Sequence, residues 1–214
     1  MATEDGLLAV GGDLSVDRLL LAYRSGIFPW YAEGDPILWW SPDPRLVLFL
    51  DELNISRSLK KTLRQGVFQI TMDAAFEQVI SACANTRLEN GTGTWITEEM
   101  KNAYCRLHEL GYAHSVEAWR DGQLAGGLYG VSLGSAFFGE SMFSKATNAS
   151  KVCLAHLVQY LQTHGFAFID CQVATDHLQR MGARNIPRTE FISQLFQSLR
   201  YPTLLRAWVN PDLS

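Results

Sequence analysis

Three polar side chains stand where the sequence is otherwise apolar. Glu140 ends the run Ser-Ala-Phe-Phe-Gly-Glu over 135–140, and Asp170 and Gln172 end the run Phe-Ala-Phe-Ile-Asp-Cys-Gln over 166–172. A carboxylate in such a setting is costly to desolvate unless it is partnered. Side chains alternate along a strand, so Phe166, Phe168, Asp170 and Gln172 are expected on one face and Ala167, Ile169 and Cys171 on the other. If 135–140 lies beside this strand, Glu140 reaches the same end of the sheet. A carboxylate and an amide facing an aromatic-walled cavity suit the binding of an amine and its orientation towards a carbonyl. The structural alternative is that Asp170 caps a helix or pairs with Arg184 or Arg188.

Other chemistries find little support. The five histidines show no H-x-x-x-H spacing, so no metal site is expected. Gly134 and Gly139 lack the Lys-Ser/Thr of a phosphate loop. Cysteines 83, 105, 153 and 171 form no C-x-x-C pair and read as free thiols in a reducing compartment. The net charge of −4 argues against a broadly basic coat for nucleic acid but leaves room for a local patch. No apolar run reaches membrane-spanning length, and the acidic start Met-Ala-Thr-Glu-Asp does not read as a signal peptide. A cytoplasmic protein is the expectation.

The elements that would position the three polar residues follow from local signals. Ser15 is expected to cap a helix carrying Leu19, Leu20 and Tyr23, ended by Gly26. Four of the seven prolines and three of the six tryptophans lie within 29–44, which predicts stiff, irregular backbone rather than a helix or central strand. A domain boundary is placed there, giving a small N-terminal domain (1–45) and a larger one (46–214).

Residues 46–50 and 67–71 predict strands. Between them, Ser56 caps a helix on which Arg57, Lys60, Lys61 and Arg64 share one face. That face is either solvated or a contact for a phosphate backbone. Asp73 is expected to begin a helix through Cys83, with a loop over 85–94. Thr97 caps a further helix with Met100, Ala103, Tyr104, Leu107 and Leu110 inward. A meander follows: 113–120, a turn at Asp121-Gly122, 123–132, and 135–140. Gly126, Gly127 and Gly130 imply a bulge, a close ligand or packing against an aromatic ring. Asn148 caps a helix to about His164, and the strand 166–173, a short helix from Thr175 or Asp176 and a last amphipathic helix complete the order.

This order resembles acyltransferases of the GNAT type, which hold acetyl-CoA on a glycine-rich, basic loop before a helix. The matching segment 144–151 has cations but no glycine cradle. The motifs Gly-Gly-Asp-Leu-Ser (11–15), Gly-Ile-Phe-Pro-Trp (26–30), Trp-Trp-Ser-Pro-Asp-Pro-Arg (39–45), Thr-Trp-Ile-Thr (94–97), Gly-Glu-Ser-Met-Phe-Ser (139–144) and Ile-Asp-Cys-Gln (169–172) resemble, together and in order, the leucyl/phenylalanyl-tRNA–protein transferase family.

The resemblance implies an α+β fold, with a GNAT-like domain whose mixed, largely antiparallel sheet is flanked by helices, and no metal or coenzyme. It implies transfer of Leu or Phe, with Met a third candidate, from aminoacyl-tRNA to the N-terminal Arg or Lys of an acceptor protein, marking it for N-degron degradation. Asp170 and Gln172 would stand at the reacting centre with Glu140 beside them. Trp30 and Trp95 would wall the 3′ adenosine, Leu128 and Phe137 would line the side-chain pocket, and Ser144 would bond near the ester. Arg57, Lys60, Lys61 and Arg64 would meet the acceptor stem. An acetyl-CoA-dependent N-acetyltransferase and a nonenzymatic RNA-binding module are the competing readings.

Overall fold

The computed structural model describes residues 3, 5–89 and 95–209. The chain opens with β1 (Leu7–Val10), α1 (Val16–Arg24), β2 (Phe28–Pro29) and β3 (Leu38–Trp40). These strands form an antiparallel sheet in the order β1-β3-β2. The expectation of irregular backbone with no central strand over 29–44 is therefore corrected. Pro29 lies on the edge strand β2, where its missing donor is tolerated, while Leu38, Trp39 and Trp40 supply the central strand.

The second sheet draws on the rest of the chain. In order come β4 (Arg45–Phe49), α2 (Arg57–Gln65), β5 (Gln69–Met72), α3 (Phe76–Glu89), α4 (Glu98–Glu109), β6 (Ala113–Arg120), β7 (Gln123–Leu133), β8 (Ala136–Ser144), α5 (Ala149–Thr163), β9 (Phe168–Gln172), α6 (Asp176–Arg180), β10 (Arg184–Ile186) and α7 (Arg188–Ser198). The strand order is β10-β4-β9-β8-β7-β6-β5. Every pair is antiparallel except β8–β9, which is parallel and needs the crossover that α5 provides. The fold is α+β, with a small N-terminal sheet and a larger, largely antiparallel one flanked by helices.

Several local signals act as read. Ser56 and Thr97 accept the backbone N–H groups of Leu59 and Met100, and Gly66 ends α2 in the left-handed region at φ 57°. Asp121 and Gly122 both have positive φ, at 53° and 73°, as a two-residue hairpin turn requires. Others differ. Ser15 precedes α1 but makes no side-chain cap; its N–H goes to Asp13 Oδ1 at 2.9 Å. Asp73 does not start α3, because a tertiary role claims its carboxylate. The expected loop over 85–94 is helical through Glu89, and 90–94 lie outside the described residues. Asn148 makes no side-chain cap on α5; its amide donates to Thr62 on α2 at 3.1 Å.

The glycines of β7 serve packing. A Cβ on Gly126 would lie 2.5 Å from the Cβ of Ala149, and one on Gly130 would lie 2.6 Å from the Phe137 ring. Apolar clusters cover both faces of the large sheet. Phe138 and Phe168 join Tyr23, Tyr104 and Phe191 in one, whereas Phe137 and Ile169 join Leu157 and Trp208 in the other. Alternation thus separates Phe168 from Ile169 as expected, but Phe166 precedes β9 and packs in the second cluster, away from Phe168.

Candidate active site at the parting of two parallel strands

The parallel pairing of β8 and β9 ends at Phe138 opposite Asp170. Beyond it the strands part, and a cavity of about 410 Å³ opens between them. Its apolar part includes Leu128, Phe137, Leu154, Leu157 and Ile169. Trp30, Trp95 and His177 also line it, with Glu140 and Gln172 supplying polar wall. Trp30 is 42% exposed and packs against Trp40, whose indole N–H donates to the Trp30 carbonyl at 2.7 Å.

Glu140 is buried and carries a dense hydrogen-bond network. Tyr23 from α1 donates to its Oε1 at 2.7 Å, Tyr104 from α4 to its Oε2 at 3.1 Å, and Gln172 Nε2 to its Oε1 at 2.9 Å. The two tyrosine hydroxyls also bond to each other. Burial pushes the Glu140 carboxyl up to about 7, although the donated hydrogen bonds pull the other way. The geometry points in the same direction. Three oxygen–oxygen contacts join Tyr23, Tyr104 and Glu140 while the two hydroxyls hold only two protons; a third proton on Glu140, with one of the tyrosine–carboxylate bonds reversed, would complete the set. Burial and the nearby Glu140 charge push both tyrosine hydroxyls well above their ordinary range.

Asp170 is placed otherwise than expected. It is fully buried and does not line the cavity. Its carboxylate is held by Arg45, Nε to Oδ1 at 2.8 Å and Nη2 to Oδ2 at 2.7 Å. The guanidinium lies 4.8 Å from the centre of the Phe28 ring and 4.6 Å from that of Phe191. The alternative partners are engaged elsewhere, Arg184 with Glu52 and Arg188 with the Ser41 carbonyl. Asp170 Oδ1 also accepts the backbone N–H of Gln172 at 3.0 Å. Gln172 has φ 63°, in the left-handed region.

A register shift explains why simple alternation failed. Leu46 faces Gln172 and Val47 faces Asp170, so Cys171 has no partner on β4. The extra residue bends the strand and re-aims the side chains after it. Cys171 and Gln172 therefore both reach the cavity, while Asp170 stays behind it.

Of the remaining residues named from sequence, Leu128 and Phe137 are buried in the cavity wall, on β7 and β8. Ser144 is not in the wall; it is exposed at the end of β8, where its Oγ donates to the Ala146 carbonyl at 2.8 Å and accepts from Ser150 N at 3.3 Å. Arg57, Lys60, Lys61 and Arg64 are all exposed on α2, which Leu59 anchors to the core. None of them forms a salt bridge with a described residue. Among the described residues no group of His, Cys, Asp and Glu is arranged to hold a metal ion.

Sequence reasoning missed Arg45, Tyr23, Tyr104 and His177. Tyr23 and Tyr104 fit the apolar positions of amphipathic helices, which accounts for their rings and leaves their hydroxyls unassigned. A buried phenol usually needs a partner, and that was the available signal. His177 carried none; its pKa is lowered by burial, then by the nearby charges of Lys151 and Arg180.

The family described as leucyl/phenylalanyl-tRNA protein transferase matches residues 47–196, and the N-terminal domain described for the same family matches 12–43. The leucyl/phenylalanyl-tRNA–protein transferase of Desulfatibacillum aliphaticivorans is 61% identical over 97% of this chain and 89% of its own length. That of Syntrophus aciditrophicus is 61% identical over 97% and 87%, and that of Myxococcus xanthus is 56% identical over 98% and 89%. Among solved structures, the C-terminal domain of a putative lysylphosphatidylglycerol synthetase from Agrobacterium fabrum aligns at a TM-score of 0.43 with 10% identity, over 87% of this chain and 57% of that one. The two matched segments between them span β2 and β3 of the small sheet, the parted strands and the cavity, and on them the chain belongs to the leucyl/phenylalanyl-tRNA–protein transferase family.

Proposed function

We propose that the cavity between β8 and β9 is where this aminoacyltransferase joins the aminoacyl group of a tRNA to a protein N-terminus, and that Leu or Phe, with Met as a third candidate, is the group moved. The observation that carries the reading is an apolar chamber walled on one side by Glu140 and Gln172. The transferred side chain occupies the chamber against Leu128 and Phe137, and the 3′ adenosine lies by Trp30 and Trp95. The small N-terminal domain, which ends before Arg45 opens β4, contributes Tyr23 and Trp30. The cationic face of α2 meets the acceptor stem.

The ester of aminoacyl-tRNA is already activated, so placement matters more than force. The neutral amine nitrogen attacks the ester carbonyl, the carbon–oxygen bond to the ribose breaks, and the proton shed by the amine ends on the ribose hydroxyl. Gln172 Nε2 is committed to Glu140, which leaves Gln172 Oε1 to accept an N–H of the amine and aim its lone pair. Glu140, with Tyr23 and Tyr104, is placed to exchange a proton with the attacking or leaving group. Asp170 touches neither reactant; it acts as a positioning residue that holds Gln172 through its backbone N–H. The acceptor class, N-terminal Arg or Lys, is taken from the family resemblance, as are degradation of the product and a cytoplasmic setting.

The deciding experiment offers labelled Leu-tRNA and Phe-tRNA with Arg- and Lys-initiated peptides. Transfer to both peptides, and not to a Glu-initiated one, is expected. Binding of the RNA without turnover would replace this reading with an RNA-binding module, and micromolar acetyl-CoA binding by calorimetry would replace it with an acetyltransferase.

A further inference from the structure

Residues 199–209, after α7, have no regular structure, yet three bonds, the first from the last residue of α7, hold this end of the chain against turns of the large sheet. The Ser198 carbonyl accepts from Ser135 N at 3.0 Å, Thr203 Oγ1 from Gly134 N at 2.9 Å, and Asp73 Oδ2 accepts the Trp208 backbone N–H at 2.6 Å. Asp73 serves as the clasp. At φ 55° it also takes Ser115 N on Oδ1 at 2.9 Å and has His114 Nδ1 at 2.8 Å from Oδ2.

What the clasp delivers is the indole of Trp208, only 1% exposed. It stacks on His114 at 3.9 Å and 8°, on Tyr160 at 4.6 Å and 28°, and tilts against Phe137 at 5.6 Å and 40°. Phe137 lines the cavity and Trp208 does not. The Phe137 ring is confined on another side by Gly130, where a Cβ would lie 2.6 Å from two of its atoms. The indole nitrogen, Nε1, is buried and finds no hydrogen-bond partner among the described residues. An unsatisfied buried N–H costs free energy, so what recommends tryptophan here is the size and flatness of its ring.

We infer that Trp208 sets the depth of the side-chain chamber by fixing how far Phe137 can recede from it. Trp208 is thus a positioning residue for side-chain specificity, held from the C-terminal segment; the inference rests on the chamber holding the transferred side chain. Close packing makes such a prop effective, because a ring with no free volume behind it cannot yield.

The test measures kcat/KM for Leu-tRNA and Phe-tRNA with Trp208→Leu and Trp208→Phe, thermal melts confirming the fold. Trp208→Leu is expected to raise the Phe-to-Leu ratio by about fivefold and to admit a Trp-charged tRNA, with Trp208→Phe in between. A merely structural Trp208 would lower both rates by one factor, and an unchanged ratio in a folded variant overturns the inference. Should Trp208→Leu not fold, Trp208→Phe decides alone. Phe137→Leu separates the two levels. An unchanged ratio there removes the chamber assignment and this inference with it, whereas a changed ratio there with unresponsive Trp208 variants removes only this inference.

Discussion

Glu140 and Asp170 are both buried carboxylates on adjacent strands, and their surroundings divide their labour. Asp170 faces a cation, Arg45, in a bidentate pair with no cavity surface. Glu140 faces two hydroxyls and an amide and borders the cavity. A bidentate guanidinium makes the pair a strut, at a desolvation cost that only good geometry offsets. Neutral donors leave the charge of Glu140 free to change, so burial can lift its pKa to about 7. The same residue class is thus tied to a cation in one place and set among neutral donors in the other, and the sign of what it touches makes the difference.

That contrast can be broken at four points. The largest effect is expected from Asp170→Ala, which strands the Arg45 charge. Stability should fall by about 3–5 kcal/mol in urea unfolding, and transfer should fail because Gln172 loses its anchor. A small stability loss with full transfer would mean that the pair is not a strut.

Next is the pH dependence of stability. The Glu140 carboxyl stands at about 7 in the folded protein against an ordinary 4.5, so the folded form keeps a proton that the unfolded chain releases between those values. Stability from this site is therefore full below the lower value and is lost as pH rises to the higher. The loss is on the order of 3 kcal/mol. Glu140→Gln should remove that slope, as read from denaturation midpoints across pH; a parallel pair of curves would make Glu140 an ordinary carboxylate.

A third effect, on the order of 100-fold in kcat, is expected for Gln172→Ala, because the amine loses its aligning acceptor. Little change in kcat with a raised KM would reduce Gln172 to a binding group. The smallest concerns a region remote from both carboxylates. Reversing Lys60 and Lys61 to Glu should weaken tRNA binding and flatten its salt dependence by roughly one unit of slope per lost phosphate contact. The pH profile of stability should stay the same, and a shift in it would show that the helix and the site are coupled.

Local elements were largely legible. Helices with a capping residue and an apolar stripe, such as α2 and α4, declare themselves over a few residues, and so does the Asp121-Gly122 hairpin. Pairings distant in sequence were not. Tyr23 meets Glu140 across 117 positions and Arg45 meets Asp170 across 125. No periodicity links such residues, and the Asp170 alternatives weighed from sequence, Arg184 and Arg188, were closer along the chain but engaged elsewhere. The central place of β3 was hidden because proline-rich flanks suggest irregular backbone, whereas the sheet needs donors only where its ladder runs.

The sequence by itself determined that polar groups in apolar runs, Glu140, Asp170 and Gln172, had to be accounted for, and its motifs tied them to a transferase family. It also marked the cationic face of α2, since residues at helical spacing share a face wherever the helix lies. Only the tertiary structure decided which of the three polar groups faces the cavity. A bulge at Cys171 turned Gln172 inwards, and a distant arginine drew Asp170 away. A one-residue change of register reverses a strand's faces, and a buried charge goes to the partner that the fold brings near, whatever its distance along the chain.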